Sequence, residues 1–90
     1  ETENKIVHLR LNNGTSEVVN VSMDELEHQL NPDYFFRANR QFIISRKAIK
    51  DIDLWFGSRL SVNLILPIPE RIIISKTKTP VFKKWILMEE

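Results

Sequence analysis

Cysteine is absent from this chain of 90 residues, and glycine occurs only twice, at Gly14 and Gly57. The lack of cysteine excludes disulfides, thiolate zinc sites and cysteine nucleophiles, and it suits a reducing cytoplasm. Two isolated glycines cannot build a glycine-rich phosphate loop or a dinucleotide-binding fingerprint. Long apolar runs are also missing, because the apolar runs present, such as 64–67 and 72–74, are far shorter than a membrane span. We therefore expect a cytoplasmic protein that does not enter a membrane.

Residue types that carry catalysis are few and scattered. The two histidines, His8 and His28, fall in different predicted elements, and neither has the cluster of acidic or cysteine neighbours that a metal or catalytic site requires. The acidic residues at 24–27 lie at the start of a predicted helix, where they suit the positive end of its dipole. We expect no enzymatic activity, no metal site and no cofactor.

Charge is unevenly distributed along the chain, although the net charge is only +1. Residues 1–36 hold two basic residues against seven acidic ones, whereas residues 37–90 hold eleven basic residues against five acidic ones. The basic part is a candidate surface for a polyanion, and an unevenly charged solvated surface is the alternative. The length suits one domain, which we assign to residues 1–90.

The first half of the chain predicts a hairpin followed by a short helix. Residues 5–11 and 17–21 are β-prone and flank Asn13-Gly14, a dipeptide that tolerates the positive φ angles of a type I′ turn. Ser22 and Glu25 have the spacing of a capping box, and Asn31-Pro32 ends the helix that it starts.

The second half predicts more strands and a closing helix. Extended segments at 35–38 and 41–45 are interrupted at Asn39-Arg40, a second hairpin joins 51–56 to 60–64 through Gly57-Ser58, and 71–75 is a further strand. In the closing helix Thr79 is the predicted N-cap, Pro80 the first helical residue, and Phe82, Trp85 and Ile86 the apolar stripe. The fold class is mainly β, with about six antiparallel strands arranged as hairpins and two short peripheral helices.

Basic residues form two clusters. Arg37, Arg40, Arg46, Lys47 and Lys50 lie within fourteen positions, interleaved with strand residues. Lys76 and Lys78 stand just before the closing helix, whose free N-terminal N–H groups favour an anion. Phosphate binding is one explanation, and a link kept soluble by its lysines is the other.

From Met23 onward the order of residues resembles the LytTR DNA-binding domain, the output module of many bacterial response regulators. The stretches that carry the resemblance are 22–30 (SMDELEHQL), 35–45 (FFRANRQFIIS), 48–49 (AI), 73–76 (IISK) and 82–85 (FKKW). The family pattern is a short helix ending in Leu, then F-x-R-x-N/H-R-Q/S-F/Y-I-V, an Ile-containing turn, and V-S-R before a last helix. The Asn-Arg-Gln-Phe core and the Phe-Lys-x-Trp ending resemble regulators of the Bacteroidetes type.

The resemblance implies an antiparallel β fold that inserts loops into successive major grooves of duplex DNA. By matching position, the base contacts would come from Asn4 or Lys5, from Asn39 and Arg40, and from Lys76 or Lys78. Arg40 suits a bidentate contact to guanine and Asn39 one to adenine, whereas Arg46 and Lys47 would touch phosphates. Arg37 matches a fixed family position, but on a strand it could equally pair with an acid.

Two departures from the family pattern affect these expectations. Lys76 replaces the Arg of V-S-R, so that contact has a point charge without a planar fork. The family pattern also has one or two strands before the segment that begins here at Glu1, so we expect an N-terminally truncated domain. Its exposed sheet edge could be covered by a second copy through strand pairing, which would give a homodimer.

The function that follows is sequence-specific duplex DNA binding, with an upstream receiver domain in the full-length protein. The first alternative is a protein-interaction module that accepts a partner strand on its sheet edge. The second is single-stranded nucleic-acid binding, which requires exposed aromatic residues among the basic ones. The aromatic residues of this chain lie mostly in apolar runs, which favours core packing instead.

Overall fold

The computed structural model of the chain describes residues 7–11 and 15–88. Its elements in chain order are β1 (Val7–Arg10), β2 (Ser16–Val19), α1 (Met23–Gln29), β3 (Phe35–Arg37), β4 (Ile43–Ser45), β5 (Ile49–Trp55), β6 (Arg59–Leu64), β7 (Ile72–Ile74) and α2 (Thr79–Leu87). All pairing is antiparallel, with β1–β2 and β3–β4 as two-stranded sheets and β5–β6–β7 as a three-stranded sheet. The predicted mainly-β class is confirmed. The described residues hold seven strands rather than about six, because 35–38 and 41–45 each form a strand.

The first hairpin and the first helix form where the sequence predicts them. Strands β1 and β2 pair from Val7 opposite Val19 to Arg10 opposite Ser16, and the Leu11 N–H donates to the Thr15 carbonyl at 2.8 Å. The Asn13-Gly14 turn itself lies outside the described residues. At the start of α1 the Glu25 N–H donates to the Ser22 hydroxyl oxygen at 3.0 Å, so the Ser22 half of the predicted capping box is confirmed.

The second hairpin closes through a tight left-handed turn between β5 and β6. Gly57 and Ser58 have φ angles of 71° and 63°, and Trp55 lies opposite Arg59 across the strands. A Cβ atom on Gly57 would come no closer than 3.7 Å to the Arg59 Nε atom, so glycine is favoured there by its backbone angle and not by lack of space.

The core lies between the three-stranded sheet, the β3–β4 hairpin and α2. Its buried apolar residues are Ala38, Ile44, Leu60, Val62, Ile72, Ile74, Phe82 and Trp85. The Phe36 ring lies 5.2 Å from each of the Phe82 and Trp85 rings, centroid to centroid, which ties α2 to β3. The apolar stripe predicted for the closing helix is therefore its buried face.

The start of α2 differs from the sequence prediction. Lys78 is the N-cap and Thr79 is already helical, so the prediction of Thr79 as the N-cap is wrong by one residue. The Thr79 hydroxyl donates to the Ser75 carbonyl at 2.8 Å instead of accepting from the first helical N–H groups. Pro80 lacks an N–H and so suits the first turn in either register.

Candidate nucleic-acid interface

The loop between β3 and β4, residues 38–42, is shaped by Asn39. The Asn39 side-chain oxygen accepts from the backbone N–H groups of Gln41 at 2.8 Å and Phe42 at 3.1 Å. Its amide nitrogen donates to the Ile73 carbonyl at 3.1 Å, which docks the loop against β7. Because both ends of the amide are engaged, Asn39 fixes the position of its neighbour Arg40.

The Arg37 side chain also stabilises the loop 38–42. Its Nε donates to the Asn39 carbonyl at 2.7 Å and its Nη2 to the Arg40 carbonyl at 3.0 Å. Its Nη1 forms ion pairs with Asp24 at 3.2 Å and Glu27 at 3.0 Å, both on α1. Of the two roles that the sequence leaves open for Arg37, the geometry favours pairing with acids, because its side chain is only 13% exposed.

A second loop, residues 75–78 between β7 and α2, lies beside the first. The Lys78 N–H donates to the Ser75 hydroxyl and carbonyl oxygens, both at 3.1 Å, which makes a compact turn. The Lys78 amine donates to the Arg37 carbonyl at 2.8 Å. Each loop is thus bonded to the strand that precedes the other, Asn39 to Ile73 on β7 and Lys78 to Arg37 on β3.

The two loops and α1 enclose a shallow open cavity of about 600 Å³, which we call the basic groove. Its lining residues are Asp24, Glu27, Arg37, Ala38, Asn39, Arg40, Arg59, Ile73, Ser75 and Lys78. Arg40 and Lys76 are exposed, and within 7–11 and 15–88 neither side chain has a hydrogen bond or ion-pair partner. Both cations are therefore available to an external anion.

Arg59 in this groove was not among the residues predicted from the sequence. It is the first residue of β6, and the next pair along the strands is Leu60 with Ile74, so Arg59 lies beside Ser75. The sequence predicts the turn at Gly57-Ser58. It does not predict the strand order that places this turn next to the loop 75–78.

The groove does not contain all of the predicted residues. Arg46 forms part of a 3₁₀ turn, where it stacks 4.1 Å from the Trp85 ring and donates to the carbonyls of Trp85 at 2.7 Å and Asp33 at 2.8 Å. Lys47 is exposed on the same turn, and neither residue lines the groove. Asn4 and Lys5 lie outside the described residues. The structure thus brings together Asn39, Arg40 and Lys78, with Lys76 in the adjoining turn, and the DNA contacts assigned to all of them stay predictions.

No group of three or more His, Cys, Asp or Glu residues that could hold a metal occurs within the described ranges. Neither described helix is long and apolar enough to cross a membrane.

The fold is that of a LytTr domain. A solved structure of the LytTr DNA-binding domain of a Bacillus cereus response regulator matches it with a TM-score of 0.78, covering 98% of this chain and 78% of that one at 24% identity. The family model of the LytTr DNA-binding domain matches residues 1–87. The chain therefore belongs to the LytTr DNA-binding domain family, as the sequence resemblance indicates.

Sequence relatives agree over a shorter stretch. The chain is 40% identical over 42 residues to the transcriptional regulatory protein LytR of Staphylococcus aureus, in strains N315 and NCTC 8325 among others. That stretch covers 47% of this chain and 17% of the relative.

Proposed function

We propose that this chain binds duplex DNA in a sequence-specific manner and serves as the output domain of a transcriptional regulator. The observation that carries the proposal is that the loops 38–42 and 75–78 are each bonded to the strand that precedes the other, Asn39 to the Ile73 carbonyl and Lys78 to the Arg37 carbonyl, while Arg40 and Lys76 are exposed on them. Membership of the LytTr DNA-binding domain family supports the same function. In the full-length protein an upstream receiver domain would control this output.

Arg40 is the residue proposed to read a base. Its guanidinium can donate two parallel hydrogen bonds to guanine O6 and N7 in the major groove, a contact that discriminates by about 1–3 kcal/mol. The backbone below it is held by Asn39 and Arg37 before DNA arrives. Because the loop is already ordered, less conformational entropy is lost on binding.

We propose that Lys76 and Lys78 contact the DNA backbone and bases next to the base that Arg40 reads. Lys76 supplies a compact charge at the place where the family has Arg, so its contact would be less selective. Lys78 is tied to the Arg37 carbonyl and would act mainly by charge. Asn39 and Arg46 have their donors engaged inside the protein, so we propose that they hold the interface in place, and Lys47 would meet a phosphate at its margin.

A binding experiment on the whole chain tests this function. Bound sites are selected from a random duplex pool, and affinity for the selected and a scrambled duplex is measured by fluorescence anisotropy at several salt concentrations. We expect Arg40→Ala to weaken binding to the selected site by about 10- to 100-fold and to relax preference at one base pair. Lys50→Ala is the matched control, because Lys50 is an exposed cation at the far end of β5 from the groove.

Two outcomes would contradict the proposal. Affinity of the wild type that does not fall as salt rises would exclude binding through phosphate contacts. An Arg40→Ala variant that selects the same sites as the wild type would remove Arg40 as a base reader.

A further inference from the structure

We propose that Arg59 is a further cation of the DNA-binding surface and that it binds a phosphate from the β5–β6 turn. This inference rests on the proposed function. It adds a contact from a connection that neither the sequence pattern nor the two loops described above include.

Arg59 lies close to the two loops that carry the proposed DNA contacts. It lines the basic groove together with Arg40 and Lys78, although it comes from a different hairpin. The β6–β7 register places it next to Ser75, the residue before Lys76. A duplex that meets Arg40 and Lys76 would therefore pass close to the Arg59 guanidinium.

One nitrogen of the Arg59 guanidinium is bound within the protein, and its two terminal nitrogens remain available. The Arg59 Nε atom donates to the Phe56 carbonyl at 2.7 Å, which anchors the guanidinium to its own turn. Within the described residues no partner is found for its two terminal nitrogens. These nitrogens can still donate to phosphate oxygens, and a charge that is fixed in advance loses little entropy on contact.

Arg59 differs from three other arginines, Arg37, Arg46 and Arg71, whose guanidinium groups are engaged inside the protein. Arg37 is paired with two acids, and Arg71 stacks 4.3 Å from the Trp55 ring while donating to the Ser61 hydroxyl at 3.3 Å. The Arg46 guanidinium donates to the Trp85 carbonyl of α2 at 2.7 Å. Arg59 shares with Arg40 a groove position and terminal nitrogens that are open to a ligand.

The role proposed is phosphate binding and not base reading. The Nε contact with Phe56 holds the Arg59 guanidinium against its own turn, whereas the Arg40 side chain is exposed on the loop 38–42 and has no such contact within the described residues. A phosphate contact carries no sequence information, so its loss should weaken the selected and the scrambled duplex equally and lower the salt slope by about one unit.

The test uses charge-changing variants of the whole chain in the same anisotropy assay. Arg59→Gln removes the charge but keeps an amide that can donate to the Phe56 carbonyl, and Arg59→Lys keeps the charge. We expect Arg59→Gln to reduce the slope of log affinity against log salt by about 0.9 on both duplexes. Arg59→Lys should retain most of that slope, and Lys50→Gln, at the other end of the same hairpin, should leave affinity and slope close to those of the wild type. Circular dichroism and the urea midpoint of each variant show that it is folded.

The outcomes distinguish this inference from the function on which it rests. If the wild type binds, Arg40→Ala weakens selected binding and Arg59→Gln leaves the slope unchanged, then the Arg59 contact is excluded while the function stands. Equal losses in Arg59→Gln and Arg59→Lys would show that the turn geometry matters and the charge does not, which also overturns the inference. A wild type without salt-dependent duplex binding overturns both.

Discussion

At the scale of single residues, Arg37 joins a helix to the loop that carries the proposed base reader. Its guanidinium contacts two backbone carbonyls of the loop and two carboxylates of α1. The two sets differ in environment, because the side chains of Asp24 and Glu27 are 87% and 50% exposed while that of Arg37 is 13% exposed. Exposed ion pairs contribute about 0–1 kcal/mol, whereas hydrogen bonds from a charged group contribute about 1.5–3 kcal/mol.

We therefore predict that the carbonyl contacts of Arg37 dominate. Arg37→Ala should lower the free energy of unfolding by about 1.5–3 kcal/mol, since two carbonyls lose a charged donor. Asp24→Asn and Glu27→Gln should each lower it by less than about 1 kcal/mol. Urea unfolding of the three variants measures these differences. Equal losses for the arginine and for either acid would mean that the ion pairs carry the stability.

At the scale of structural elements, α1 depends strongly on its cap. The helix has seven residues and no fully buried side chain, so packing contributes little to it. Ser22→Ala removes the acceptor of the Glu25 N–H and should destabilise the protein by about 0.5–2 kcal/mol, whereas Ser22→Asp should retain most of the stability. Thermal unfolding followed by circular dichroism measures both. If the alanine and aspartate variants unfold at the same temperature, the cap does not stabilise the fold.

The Asn39 side chain holds the loop 38–42 in two ways, by accepting from the loop's own N–H groups and by donating to β7, and one substitution can remove only the second. Asn39→Asp keeps an oxygen that accepts from Gln41 and Phe42, but it replaces the donor to the Ile73 carbonyl with a second acceptor. We predict a loss of about 1–3 kcal/mol in stability, because two oxygens then face each other without a proton. Binding to a selected duplex should weaken as well, since Arg40 moves with the loop.

The variant to compare with it is Asn39→Ala, which removes both the acceptor for Gln41 and Phe42 and the donor to Ile73. We expect its duplex binding to be weaker than that of the aspartate variant at high salt concentration, where the repulsion between the added carboxylate and the phosphates is screened. Equal binding by wild type and Asn39→Asp would show that docking on β7 is not needed to present Arg40.

The sequence predicts secondary-structure elements better than it predicts which residues their side chains contact. The Asn-Gly hairpin signal, the Ser22 cap and the Gly57-Ser58 turn are local, so they could be read from spacing alone. Arg40 and Arg46 look alike in the sequence, six positions apart in one basic stretch. Only the packing of α2, nearly forty residues later, places the Trp85 ring and carbonyl on Arg46 and leaves Arg40 open. Arg59 was missed for the same reason, because β-strand order is a long-range property.

At the scale of the whole molecule, acidic residues follow the basic groove along the β5–β6–β7 sheet. Arg59 and the basic groove lie at the end where β5 turns into β6. Asp51 and Asp53 lie in the middle of β5, where the Asn63 amide donates to both carboxylates at 2.6 and 3.0 Å. A duplex lying on the groove would thus be attracted at the turn and repelled further along β5, which would help to fix its direction.

The acidic pair also bears on the homodimer expected from the sequence. Strand β5 is an edge of its sheet in the described residues, and edge strands can pair with a second copy. Asp51 and Asp53 share one face of the strand, so antiparallel pairing of two β5 strands brings carboxylates of the two copies directly opposite each other. Like charges in that arrangement oppose pairing.

We predict that the chain does not self-associate through β5 and that removing the two charges allows it to do so. Leu54 is 85% exposed on the opposite face of this strand, so an uncharged edge would present apolar side chains on both faces. In analytical ultracentrifugation, the double variant Asp51→Thr with Asp53→Thr should show a dimer fraction that grows with protein concentration, while the wild type stays monomeric. The variant Lys50→Thr is the control for a charge change on the same strand. A wild type that already dimerises, and whose dimer is unaffected by the double substitution, would place the contact between copies elsewhere. Dimerisation of the wild type that Asp51→Thr with Asp53→Thr abolishes would instead show that the carboxylates meet a cation of the partner, and the repulsion argument would be wrong.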